Sequence, residues 1–183
     1  MLCSFSSTVY NRMDIKLEKI IATEIEPQGI DNEILSYLEA NQAELNIQDA
    51  ILYYGFPVFK DYEDHSVKSK IALLSKSHGI ILISSTSSAS IEVDDENLSQ
   101  VYNFIEAAVK KSKLLRINKN TLAVGIESFL FNSQFSNFES ESEVLSSLQS
   151  IRDTLCEIKL TAPITDENFN EVRSIIEGAK ALS

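Results

Sequence analysis

Two uninterrupted apolar runs, Ile71-Ala72-Leu73-Leu74 and Ile80-Ile81-Leu82-Ile83, flank a polar connection, Ser75-Lys76-Ser77-His78-Gly79. Neither run alternates with polar residues, and a strand that is apolar at successive positions has both faces covered. The pattern predicts two central strands of a sheet with helices packed on each side. Gly79 supplies the positive φ of a tight reversal, which makes the pair an antiparallel hairpin.

On either side of this pair the period changes. After Pro27-Gln28-Gly29, the residues Ile30, Ile34, Leu35 and Leu38 share one helical face. Asp31 and Glu33 stand in the first turn, where the helix dipole favours acids, and the helix should end between Asn41 and Leu45. Ala50 to Phe59 is rich in β-branched and aromatic residues and reads as a strand that Pro57 ends or confines to an edge. A charged loop, Lys60 to Lys68, follows. The run Ser84 to Ser90 closes the second buried strand, because its hydroxyls compete for the backbone. Leu98, Val101, Tyr102, Ile105, Ala108 and Val109 then mark a helix with acids at its start and Lys110, Lys111 and Lys113 at its end. Thr121 to Phe131 resumes strand character, with Leu122, Val124, Ile126 and Leu130 on one face. Two closing helices are predicted, one from Val144, Leu148, Ile151, Leu155 and Ile158. The other carries Phe169, Val172, Ile176 and Ala179 behind a Thr165 N-cap. Ahead of all these, Ile15, Leu17, Ile20 and Ile21 fit either a short strand or a helical turn. The order predicts an α/β fold of three layers, a mixed sheet of roughly four or five strands flanked by helices.

Composition narrows the function. With 183 residues and no low-complexity linker, the chain reads as one domain over 1–183, and 44% hydrophobic residues exclude a disordered or fibrous protein. The net charge of −11 repels nucleic acid at long range. Against that background the run Lys110, Lys111, Lys113, Arg116, Lys119 contains no acid, and such a run suits either phosphate contacts or a helix C-terminus followed by a solvated turn. Cys3 and Cys156 form no CxxC pair, so neither a disulfide framework nor a zinc site is predicted, and a cytoplasmic setting without cofactor is expected. Met1 to Lys19 lacks the apolar core of a signal peptide, and no run approaches a membrane span. Phosphate-cradling and nucleophile-elbow glycine motifs are absent from the sequence. His65 and His78 read as surface loop residues. The aromatics Tyr53, Tyr54, Phe56, Phe59, Phe129 and Phe131 read as core.

The words ILYYGFPVFKDYED, KIALLS, GIILIS, KSKLLRINKNTLAVGIESFLF and VRSIIEGAK follow one another over residues 30–180. In this order they resemble the restriction-endonuclease-like, PD-(D/E)XK fold, and more narrowly the nuclease-related domains placed ahead of superfamily I DNA helicases. The resemblance implies an Asp at the start of the second of three consecutive strands and a Glu-x-Lys at the end of the third. There the carboxylates hold Mg²⁺ and the lysine helps activate water. This chain has Ser69 or Lys70 at the first position, and Ser84 and Thr86 at the others. All three depart, and hydroxyls do not replace carboxylates as ligands of a divalent cation. Glu33, Glu39, Glu63 and Asp64 are the acids from which a rebuilt site would have to come; they read as a dipole partner and solvated surface.

What the resemblance implies is therefore a scaffold with no catalytic residue and no metal. It would be the N-terminal part of a longer chain whose parent is an ATP-dependent DNA helicase. Its work would be to dock on the motor domains or to guide DNA toward them, with Lys110, Lys111, Lys113, Arg116 and Lys119 as DNA contacts. Two competing readings stand beside it: an acidic interaction or inhibitor protein that covers a basic partner surface, and an active nuclease with a rearranged site.

Overall fold

The computed structural model describes residues 17–178 apart from Glu24, Gln48, residues 135–138 and Thr161. Ile15 and Ala179, assigned above to a first element and to the last helix, lie outside these residues. The first described elements form a β-α-β unit of β1 (Leu17–Ile21), α1 (Gly29–Ala40) and β2 (Ala50–Tyr54). β1 is a strand, parallel to β2 with Leu17 opposite Ala50 and Ile21 opposite Tyr54. The charged stretch after β2 is a small separate hairpin, β3 (Val58–Lys60) and β4 (Ser66–Lys68), where a loop is expected from sequence. Its two inward apolar residues hold it down: Val67 is buried, and Phe59 stacks on Phe104 with ring centroids 4.1 Å apart.

The two apolar runs form β5 (Ile71–Ser75) and β6 (Gly79–Ser85), an antiparallel hairpin in which Leu73 faces Ile81 and every residue is buried. After them come α2 (Ile91–Lys111) and a second small hairpin, β7 (Arg116–Asn118) with β8 (Thr121–Leu122). The long strand expected over Thr121–Phe131 is reduced to β9 (Ile126–Phe131), and Val144, expected on a helix, lies on β10 (Glu143–Leu145). The last described elements are α3 (Leu148–Ile158) and α4 (Asp166–Ile176), and the Thr165 side chain caps α4 by accepting from the Asn168 N–H at 3.2 Å.

Among the described residues the main sheet has the order β1-β2-β5-β6-β9-β10, six strands where four or five are expected. β5 runs antiparallel to both of its neighbours, and β6, β9 and β10 are parallel to one another. The extra strands are the short edges β1 and β10. Side chains alternate between two cores, as strand pleating requires. Ile51, Tyr53, Ala72, Leu74, Ile80 and Leu82 pack toward α2 and α4. Leu52, Tyr54, Ile71, Leu73, Ile81 and Ile83 pack toward α1 and α3. Three layers result, with β5 and β6 in the middle.

Cys156 on α3 is disulfide-bonded, contrary to the expectation from cysteine spacing. That removes the cysteine argument for a reducing compartment. No helix among the described residues is long and apolar enough to cross a membrane.

Candidate functional site

Lys70 directly precedes β5, and Ser84 is one residue short of the end of β6. The hairpin register pairs Ile71 with Ile83, so one further step along it sets Lys70 opposite Ser84. The Lys70 Nζ donates to the Ser85 carbonyl at 2.7 Å and approaches Ser85 Oγ at 3.3 Å. It also reaches Asp94 Oδ1 in the first turn of α2 at 3.4 Å. The other Asp94 oxygen accepts from Ser90 Oγ at 2.7 Å. An ammonium thus sits among a carbonyl, a hydroxyl and one carboxylate. Ser84 Oγ is buried with no hydrogen-bond partner, and Ser69 is buried too. Thr86 hangs from the end of β9 through its N–H, which donates to the Phe131 carbonyl at 2.9 Å.

Of the residues singled out in the sequence, Lys70 and Ser84 are brought together at this corner, and Thr86 follows one residue beyond β6. The other acids are elsewhere. Glu33 is exposed on α1, Glu39 pairs with Lys19 at 3.1 Å, and Glu63 and Asp64 are exposed at the tip of the β3–β4 hairpin. Among the described residues no group of three or more His, Cys, Asp or Glu could hold a metal ion. Asp94 is the residue that sequence reasoning missed here. It looked like a dipole partner because it lies in a first turn, and only the packing of α2 against β6 brings it to Lys70.

The five cations of the basic run are all exposed, spread from the last turn of α2 to the β7–β8 turn. Two serve locally: Lys110 pairs with Glu106 at 3.1 Å, and the Arg116 guanidinium donates to the Lys110 carbonyl, closing the C-terminus of α2. Among the described residues Lys111, Lys113 and Lys119 carry no ion pair. Lys111 borders an apolar groove of about 400 Å³ between α2 and α4, lined by Phe104, Ala107, Ala108 and Ile175. Beside these charges Ile117 and Leu114 are 66% and 40% exposed.

A second concavity, of about 320 Å³, lies where α4 meets the N-terminal ends of β1 and β2. Every charge there has a partner, four carboxylates sharing two cations. Lys76 bonds Asp166 and Asp49 and lies 5.6 Å over the Phe169 ring. Arg173 bonds Glu18 at 3.3 Å and Glu177 at 2.9 Å. Glu177 also accepts from the Tyr53 hydroxyl at 3.0 Å, and burial first, then Glu177, push that phenol well above its ordinary range. This network fastens α4 to the sheet and leaves no unpaired charge for a ligand.

His78 departs from the sequence expectation of a surface residue. It is 1% exposed, with Nδ1 at 3.0 Å from Ser75 Oγ and Nε2 buried without a hydrogen bond of ordinary length. It faces α3, not a cleft, and its role is in packing. The aromatics behave as expected: Tyr53, Tyr54, Phe129 and Phe131 are buried, and Phe56 and Phe59 are half-buried.

Comparison with known proteins gives no significant match: no family model, no curated protein and no solved structure matches the chain.

Proposed function

We propose that this chain is a restriction-endonuclease-like domain without a reaction of its own, an accessory module of a superfamily I DNA helicase that contacts DNA through Lys110 to Lys119. The observation that carries this reading is Lys70. Its ammonium occupies the oxygen-lined corner between the ends of β5 and β6, where the resemblance implies a divalent cation. A fixed single charge held by one carboxylate and a carbonyl satisfies those oxygens and leaves no ligand set for Mg²⁺, which takes about six. The succession α1, β2, β5, β6, α2, β9, with its antiparallel hairpin and parallel return, supports the same reading. The exposed, unpaired Lys111, Lys113 and Lys119 support the DNA contact, since each cation at a phosphate releases counterions.

The purified chain is expected to leave single-stranded and supercoiled DNA uncut with Mg²⁺ or Mn²⁺. Divalent-dependent scission lost in Asp94→Asn would overturn the reading. In fluorescence anisotropy with single-stranded DNA, the double variant Lys111→Glu/Arg116→Glu should bind about tenfold or more weakly, with a salt slope reduced by roughly two. Unchanged affinity and slope would remove the DNA contact. The helicase association is tested in the encoding gene. A GxxxxGK[ST] motif further along the same reading frame supports it, and a frame lacking one contradicts it.

A second reading is favoured by the exposed Ile117 and Leu114, which suit a protein surface better than a phosphate backbone. The β7–β8 hairpin would then dock on the motor domains. Ile117→Ser, which keeps every charge, would abolish that docking and leave DNA affinity unchanged.

A further inference from the structure

Between α2 and α4 an apolar hollow stands beside exposed cations. Both helices pack on the same face of the sheet. Where Ala107 and Ala108 share a lining with Ile175, their small side chains leave a groove of about 400 Å³. Phe104 lies about one helical turn before the alanines, and Lys111 and Ser112 about one turn after them. The acid on the lining, Glu171, accepts from the Ser112 hydroxyl at 2.8 Å.

The lining selects the kind of group that enters. A nucleic-acid base needs an open aromatic face, and one face of the Phe104 ring is taken by Phe59, stacked on it at 4.1 Å. What remains is alkyl surface, which suits a bulky apolar side chain. Further apolar surface follows in sequence, with Leu114 40% and Ile117 66% exposed. The Arg116 bond to the Lys110 carbonyl holds this segment to the end of α2.

The charge selects the rest of the partner. In a chain of net charge −11, Lys111, Lys113 and Lys119 form a local inversion of sign, and among the described residues none of them carries an ion pair. Complementary potential draws carboxylates to such a place, and an amphipathic segment laid in a groove brings apolar and charged groups together. We propose that this groove seats an acidic amphipathic segment of a partner protein. One bulky apolar side chain enters between the alanines and Ile175, and flanking carboxylates meet Lys111 and Lys113. The proposal rests on the second reading above for the kind of partner, a protein, and adds its chemistry and a further place of contact.

The test selects binders of the full chain from a random-peptide phage library, then measures the enriched peptide by fluorescence anisotropy. Enriched sequences should share a Leu, Ile or Phe flanked by Asp and Glu. Lys111→Glu/Lys113→Glu should weaken the peptide about tenfold, a difference that shrinks at high salt. Ala107→Gln fills the groove with a neutral, helix-forming side chain at an exposed position. It too should weaken the peptide about tenfold while affinity for single-stranded DNA stays unchanged. No enrichment, or enrichment without acids, overturns the proposal. So does an equal loss of DNA affinity in Ala107→Gln, which would assign the groove to nucleic acid. Ile117→Ser separates the two readings: a peptide lost there but kept in Ala107→Gln leaves the hairpin contact standing and overturns the groove. The reverse result supports the groove without the hairpin. If Ala107→Gln fails to fold, the lysine pair decides, and undiminished binding overturns the proposal.

Discussion

Replacing Gly79 with alanine should lower the unfolding free energy by roughly 3 kcal/mol or more, a large share of what holds an ordinary domain together. Gly79 opens β6 at φ +83°, and a Cβ built there would lie 2.6 Å from the Gly125 carbonyl oxygen. Two effects add. The left-handed backbone alone costs an L-residue about 1–2 kcal/mol. The contact is with backbone, which has no rotamer into which to retreat, and that same Gly125 carbonyl accepts from the Ile80 N–H at 2.9 Å. Moving it weakens the first bond between β6 and β9, worth about 1 kcal/mol. Gly29→Ala is the internal control, because Gly29 also has a positive φ, +57°, but nothing within 4 Å of its Cβ position. Urea denaturation of both variants should place Gly79→Ala about 2 kcal/mol below Gly29→Ala. Equal midpoints would mean that the β5–β6 turn does not press on Gly125.

The hairpin that Gly79 starts was the most legible part of the chain. Continuous apolar runs over Ile71–Leu74 and Ile80–Ile83 have few alternatives to strands covered on both faces, and all of these residues are buried. What the sequence concealed were elements held by pairing and not by their own pattern. β10 contributes Glu143, Val144 and Leu145, too few to display a period of two, and Val144 happens to stand four residues before Leu148 in a helical rhythm. β1 is a five-residue edge with a mixed burial pattern, so strand and helical turn fit it equally well. The β3–β4 hairpin turns only Phe59 and Val67 toward the α2 side of the core while Val58 stays exposed, and contacts with a distant helix leave no local signal.

The corner at Lys70 was legible for the same reason as the hairpin, since a fixed register carries Lys70 to Ser84 by counting. Asp94 was not, because its meeting with Lys70 depends on how α2 returns across the sheet. The Ser84–Ser90 run read only as a strand terminator. Its place beside residues 132–134 follows from the pairing of Ser85 with Phe131. A single polar run cannot announce the partner that stands opposite it.

His78 makes acid sensitivity the other large expected effect. The turn that bears it is roofed by the segment between α3 and α4, where the Leu160 N–H donates to the Ser77 carbonyl at 2.7 Å and the Ile164 N–H to the Lys76 carbonyl at 2.9 Å. Under that roof burial pushes the imidazole down from its ordinary 6.5 to about 4; the Leu155 carbonyl opposes the shift and the nearby Lys159 charge adds to it. Between these two values the unfolded chain holds a proton on His78 that the folded chain does not. Stability therefore rises with pH across this window: the contribution is complete above 6.5, declines as the pH falls, and is gone below about 4. The full amplitude is about 3 kcal/mol. Urea unfolding at several pH values between 7.5 and 4 should show the native chain losing about 3 kcal/mol more than His78→Gln, which carries no titrating group at this position. Asp61, whose carboxyl is lowered chiefly by the His65 N–H, loses its contribution as the pH falls below its ordinary 3.8, and it does so in both proteins, so the subtraction removes it. Parallel pH profiles for the two proteins would mean that His78 is solvated and that the α3–α4 connection does not close over the turn.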